Sequence, residues 1–169
     1  MRAGTTKTTY IRGGLHTTNP QLLLSELDNN TSWLGYPGEV PIIDGGGTLV
    51  SPIVFEYYTQ RVTIDNLTIR NCVTTAIDIH GGGGAPGAAF NVISNNEIYN
   101  ITATITAGNA GGSAAIRGAF NAINNTIKNN YVHDVDCVGI LFVSGTTSES
   151  LSGNEISYNK VVRTNRTGQ

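Results

Sequence analysis

The sequence predicts an all-β solenoid of about 5–6 coils with three short strands in each, and three observations carry that prediction. Composition comes first: the 169 residues hold 21 Gly and 18 Asn but only 13% charged and 7% aromatic side chains, which suits many turns and few amphipathic helices. The second is an Asn-rich turn that recurs before short alternating strands. The third is the spacing of the apolar residues at the centre of those strands.

Four segments share the pattern: Asn66-Leu67-Thr68-Ile69-Arg70-Asn71, Asn95-Asn96-Glu97-Ile98-Tyr99-Asn100, Asn129-Asn130-Tyr131-Val132-His133-Asp134 and Gly153-Asn154-Glu155-Ile156-Ser157-Tyr158. Their central residues Ile69, Ile98, Val132 and Ile156 lie 29, 34 and 24 residues apart. Those intervals read as one coil of about 24 residues with insertions of about 5 and 10, which a solenoid carries as loops. The insertions fall on His80 to Gly87 and on Thr102 to Gly112, both rich in glycine and small residues.

A second strand follows the first, in Ala76-Ile77-Asp78-Ile79-His80 and Gly139-Ile140-Leu141-Phe142-Val143, with counterparts at Ala114-Ala115-Ile116-Arg117 and Ile53-Val54-Phe55-Glu56. A third is expected at Arg61 to Ile64, Asn91 to Ile93 and Ala122-Ile123, and the single place left for a short helix is Gln21 to Leu27. Each coil has one apolar side and can pair its backbone only with the coils above and below. Stacking therefore predicts inward ladders Ile69/Ile98/Val132/Ile156 and Ile79/Ile116/Phe142 at about 4.8 Å per layer. Asn71, Asn100 and Asp134 share one turn position, where Asn tolerates the left-handed conformation and can bond along the stack.

Charge and apolar runs exclude several classes. Ten basic against twelve acidic residues give a formal charge of −2 with no block of like charge, so no nucleic-acid partner is expected. No apolar run approaches the ~18 residues of a membrane span. Cys72 and Cys137 fall two layers apart, beyond disulfide reach, and are expected as buried small residues. The start, Met1 to Lys7, lacks the apolar stretch of a secretion signal. Sequons at Asn29, Asn30, Asn66, Asn100, Asn124 and Asn165 follow from Asn-rich turns beside Thr-rich strands.

From about Thr8 to Asn165 this register resembles the right-handed parallel β-helix family, which includes pectate-lyase-like enzymes, polygalacturonases, alginate lyases, mannuronan epimerases and phage tailspikes. Tyr10-Ile11-Arg12-Gly13-Gly14 and Trp33-Leu34-Gly35-Tyr36-Pro37-Gly38-Glu39-Val40-Pro41-Ile42-Ile43-Asp44-Gly45-Gly46 look like the opening coils of secreted members. The resemblance implies one β-helix domain over 1–169, whole or part of a longer solenoid, met outside the cell or at its surface. It implies a polysaccharide partner, while the fold alone hosts lyases, hydrolases, epimerases and inert fibres.

Aligned on inward residues, the second strand places Glu56, His80, Arg117 and Val143 in one outward column and Val54, Asp78, Ala115 and Leu141 in the next. A carboxylate beside His80 raises its proton affinity, and Arg117 could clamp a uronate carboxylate while His80 removes the adjacent proton. The expected catalytic set is thus Glu56, His80 and Arg117, with Asp78 alongside as a substrate-binding candidate, and β-elimination is favoured because the paired carboxylates of a hydrolase are missing. A rival outward stack holds Tyr99, His133 and Ser157 above Arg70, with Tyr99 and His133 as substrate-binding candidates. Val132-His133-Asp134-Val135-Asp136 loosely resembles the His/Asp strand of mannuronan epimerases but lacks their Asp-Pro-His-Asp core.

No cofactor is expected, since His-x-x-x-His and Cys-x-x-Cys spacings are missing; Asp78 is where related lyases would suggest Ca2+. The competing function is a non-catalytic structural or adhesive solenoid. Its apolar coil ends around Ile156, Val161 and Val162 would then drive self-association.

Overall fold

The computed structural model describes residues 7–17, 21–80, 87–102, 112–145 and 147–164. The first coil holds β1 (Lys7–Ile11), β2 (Gly14–Thr17) and β3 (Leu22–Leu24). The second holds β4 (Thr31–Gly35), β5 (Pro41–Asp44) and β6 (Ile53–Phe55), and the third β7 (Thr63–Asp65), β8 (Thr68–Cys72) and β9 (Ile77–His80). In the fourth are β10 (Val92–Ser94), β11 (Glu97–Ile101) and β12 (Ala114–Ala119); in the fifth β13 (Thr126–Lys128), β14 (Tyr131–His133) and β15 (Val138–Val143). A sixth adds β16 (Glu155–Ser157) and β17 (Lys160–Val162).

Like strands stack in parallel into three sheets. Sheet A is β1-β4-β7-β10-β13-β16, sheet B is β2-β5-β8-β11-β14-β17, and sheet C is β3-β6-β9-β12-β15. The expected stack of three-stranded coils is what the chain forms. Gln21 to Leu27 is not a helix: it supplies β3 and enters a single 3-10 turn at Glu26–Asp28, capped by Ser25.

Inside, the ladders are almost wholly aliphatic. Ile64, Ile93 and Ile127 line sheet A, Ile69, Ile98 and Val132 line sheet B, and Ile53, Ile77 and Ile116 line sheet C, all buried. Each such side chain contributes about 1.5–3 kcal/mol by leaving water. Cys72 and Cys137 are buried, unbonded thiols, and burial pushes both up to about 12.

Three parts of the expected register are corrected. Val132 pairs with Val161 of β17, whereas Ile156 lies on sheet A opposite Ile127. Equivalent residues of sheet B are therefore separated by 26, 29, 34 and 29 residues, not by a 24-residue coil with insertions. The strand expected at Ala122-Ile123 lies instead at Thr126–Lys128 (β13), and Ile123 forms only an isolated bridge with Ala89. Finally, Ile116 pairs with Ile77 rather than Ile79, because β12 places Gly118 opposite Ile79 and Phe142 beside it. The Phe142 ring occupies the space that a side chain on Gly118 would need, so one coil's missing volume is filled from the next.

The turns explain why Asn is so frequent. Left-handed residues recur at three corners: Arg61, Phe90 and Asn124 before sheet A; Asn66, Asn95, Asn129 and Tyr158 between sheets A and B; Asn71, Asn100, Asp134 and Arg163 after sheet B. The last set includes the expected ladder position, and Asn100 Nδ2 donates to Asn71 Oδ1. Two ladders that the sequence reading did not separate flank sheet A and are the more deeply buried. In one, Asn91 Nδ2 donates to Asn125 Oδ1 at 3.1 Å and Asn125 Nδ2 to Asn154 Oδ1 at 3.2 Å. In the other, Asn96 and Asn130 repeat the bond at 3.0 Å and Asn130 and Asn159 at 2.9 Å.

Candidate functional site

Alternation along β9 turns Ile77 and Ile79 inward and Asp78 and His80 toward the outside of sheet C. The corrected register moves Arg117 two residues away from its expected column. It is level with Asp78 and Leu141, while His80 is level with Ala119 and Val143. Glu56, one residue beyond the Phe55/Ile79 pair, is level with His80 as expected. Glu56 and His80 thus meet, and Arg117 joins Asp78 instead.

That second pair is closed. Arg117 donates from Nε to Asp78 Oδ1 at 3.0 Å and from Nη2 to Asp78 Oδ2 at 2.8 Å, with the two side chains only 17% and 12% exposed. Such a fork satisfies both partners, and pulling Arg117 onto a substrate carboxylate would strand Asp78 with little water. The same geometry suits a guanidinium rather than Ca2+, since both Asp78 oxygens are engaged. Among the described residues no group of three or more His, Cys, Asp or Glu is placed to hold a metal ion.

Around His80 the arrangement is open and aromatic. A cleft of about 160 Å³ is lined by Val54, Glu56, Tyr57 and His80. The imidazole centroid lies 5.6 Å from the Tyr57 ring and 4.9 Å from the Phe120 ring. Tyr57 follows β6, His80 ends β9 and Phe120 follows β12, so three successive coils each contribute one ring. Sequence reading had Glu56 and His80 but missed Tyr57 and Phe120, which stand in loops where period-two alternation says nothing about direction. Most of the glycine-rich insertions expected to wall this face, at 81–86 and 103–111, lie outside the described residues.

The rival stack on sheet B is assembled without Ser157, which pairs with Lys128 on sheet A. Asp44, Arg70, Tyr99 and His133 form one outward column over four coils. Arg70 donates from Nε to Asp44 Oδ2 at 2.7 Å and from Nη1 to Tyr99 Oη at 3.1 Å. Above them Tyr99 stacks on His133 at 5.1 Å, and Tyr131 also stacks on that imidazole at 4.3 Å. Both imidazole nitrogens face carboxylates, Nδ1 at 2.7 Å from Asp134 and Nε2 at 3.3 Å from Glu97.

Asp134 is held well below the usual carboxylate range by Arg163 first and His133 second. For Asp44, burial would raise the pKa, but the Gly46 N–H, Arg70 and Asn71 together pull it below its ordinary value. Tyr99 and His133 are therefore brought together as expected, within a network whose charges answer one another. This face has the marks of a polar clamp between coils.

A family pattern described as right-handed β-helix region matches residues 53–167. This chain belongs to that family. The β-helix matches no curated protein and no solved structure. No helix among the described residues is long and apolar enough to cross a membrane.

Proposed function

We propose that this β-helix binds a polysaccharide outside the cell, laid across the coils along the outward face of sheet C, without cleaving it. The observation that supports this reading is the ring row Tyr57, His80 and Phe120 above the Glu56 cleft. Sugar rings present C–H faces that pack on aromatic faces, and their hydroxyls donate to a carboxylate such as Glu56. One ring per coil suits a polymer that rises through the stack. Binding is favoured over β-elimination because the cation that would steady a uronate carboxylate is forked onto Asp78.

Affinity electrophoresis in gels cast with neutral and uronate polymers tests it, with ultraviolet detection of the conjugated product that elimination would release. Retardation without product, weakened roughly tenfold by Tyr57→Ala, is the expected result. Accumulation of unsaturated product would make the chain a lyase, and free migration through every gel would remove the reading.

A second reading, a structural solenoid that joins copies end to end, is favoured by the exposed apolar side chains of the sixth coil, Ile156 at 52% and Val161 at 41%. Light scattering over a concentration series should then show association that Val161→Lys weakens; a constant monomer mass would dismiss it.

A further inference from the structure

The corner between sheets A and B changes character at the second coil. In the coils above, its left-handed residue is Asn66, Asn95 or Asn129, and the chain passes straight into sheet B. At the equivalent place β4 ends in Gly35, and the chain swings out through Tyr36-Pro37-Gly38 before β5. Only glycine fits there, because a side chain on Gly35 would collide with the Asn66 carbonyl. The outward loop and the inward step leave a hollow of about 340 Å³, within the volume range of small-molecule sites.

Its lining divides into two kinds. Tyr10, Leu34 and Pro37 give an apolar wall, and Asp65, Asn66 and Asn95 bring one carboxylate and two primary amides. Asp65 Oδ1 is held in place by Ser94 Oγ and Asn95 Nδ2, each at 2.6 Å. Among the described residues Asp65 Oδ2, the Asn66 amide and the Tyr10 hydroxyl carry no hydrogen bond, and none of the three side chains is deeply buried. Arg12, beside the Tyr36 loop, is engaged: it donates from Nε to both Glu39 oxygens at 2.9 Å and lies 4.5 Å above the Tyr36 ring. That pairing with Arg12 holds Glu39 at about 2, and it braces the Tyr36 loop.

From this juxtaposition we infer a saccharide subsite at the corner, separate from the sheet C cleft and independent of its function, that takes an uncharged glycosyl unit bearing neighbouring hydroxyls. Two adjacent hydroxyls can donate to Asp65 Oδ2 and exchange hydrogen bonds with Asn66, while the C–H face of the sugar lies on Tyr10 and Leu34. A uronate is disfavoured, because its carboxylate would meet Asp65 and the lining itself holds no cation, the nearest lysine on that outward column, Lys128, standing beyond Ser94.

Amide-resolved NMR of the full chain tests this with cellohexaose, mannohexaose and galactohexaose as neutral probes and hexagalacturonate as the charged one. At least one neutral probe should shift the side-chain amides of Asn66 and Asn95, and hexagalacturonate should not. Asp65→Ala should weaken that response about tenfold or more. Since Asp65 also ties Ser94 and Asn95, Tyr10→Ala on the exposed edge strand β1 provides a second variant that leaves those bonds alone, and it should weaken binding too. Silence of both amides toward all three neutral probes, an equal response to hexagalacturonate, or undiminished binding by folded Tyr10→Ala would overturn the inference.

Discussion

The two flanks of sheet A and the outer side of sheet C solve the same problem, turning the chain once per coil, in opposite ways. Beside sheet A the corners of the fourth and fifth coils are two residues long in effect: a left-handed residue, then a buried Asn whose amide reaches the coils on either side, while in the third coil Val62 and Leu67 take the place of that Asn. Around sheet C nothing comparable repeats among the described residues. Its strands run from three residues in β6 to six in β12 and β15, and the long insertions leave from or return to it. The contrast teaches that uniform geometry is maintained where backbone donors and acceptors must be satisfied out of water, and variety is tolerated where loops can reach solvent.

Removing one ladder amide should break that order most severely. Asn96 accepts from Leu67 N at 3.0 Å and donates to Ile64 O at 3.2 Å, so Asn96→Ala strands two main-chain groups in a buried corner. A loss of about 3 kcal/mol is expected in urea denaturation. A change below about 0.5 kcal/mol, the usual range for surface substitutions, would show that water replaces the ladder freely.

On the sheet C side the expected effect is smaller and reversible by design. Arg117→Leu leaves Asp78 with its two guanidinium bonds gone, which should cost about 2 kcal/mol given the remaining exposure. Adding Asp78→Ala to Arg117→Leu should restore most of that stability, as no charge is then left behind. If the double variant is as unstable as the single one, the pair does more than balance itself, and its place as a closed clamp is wrong.

The solenoid, its strand count and many inward residues were legible because the pattern of Asn turns and alternating aliphatics is dictated by stacking. Coil length was not. Gly153-Asn154-Glu155-Ile156 resembles Asn129-Asn130-Tyr131-Val132 since the corners on both flanks of sheet A have the same chemistry, and only pairing tells them apart. Arg117 was misplaced for a related reason: with Gly118 inward, Ile116 fits opposite Ile77 or Ile79 on periodicity alone, and the Phe142 ring decides the matter from another coil. Glu56 beside His80 was legible since His80 ends a regular strand and Glu56 directly follows one. Tyr57, Phe120 and the Tyr36 loop were not, because loop direction is set by packing and leaves no period in the sequence.

The buried amide ladders also have a direction. In both, the Nδ2 of each earlier Asn donates to the Oδ1 of the Asn in the following coil, from Asn91 through Asn125 to Asn154 and from Asn96 through Asn130 to Asn159. Such head-to-tail dipoles polarise one another, so every added rung strengthens those already made. A coil grafted onto the sixth by an engineer would therefore be accepted only if it offered an amide oxygen at both corners. Matching apolar residues alone would give a stack that adheres without choosing its register, and two well-placed asparagines would act as its key.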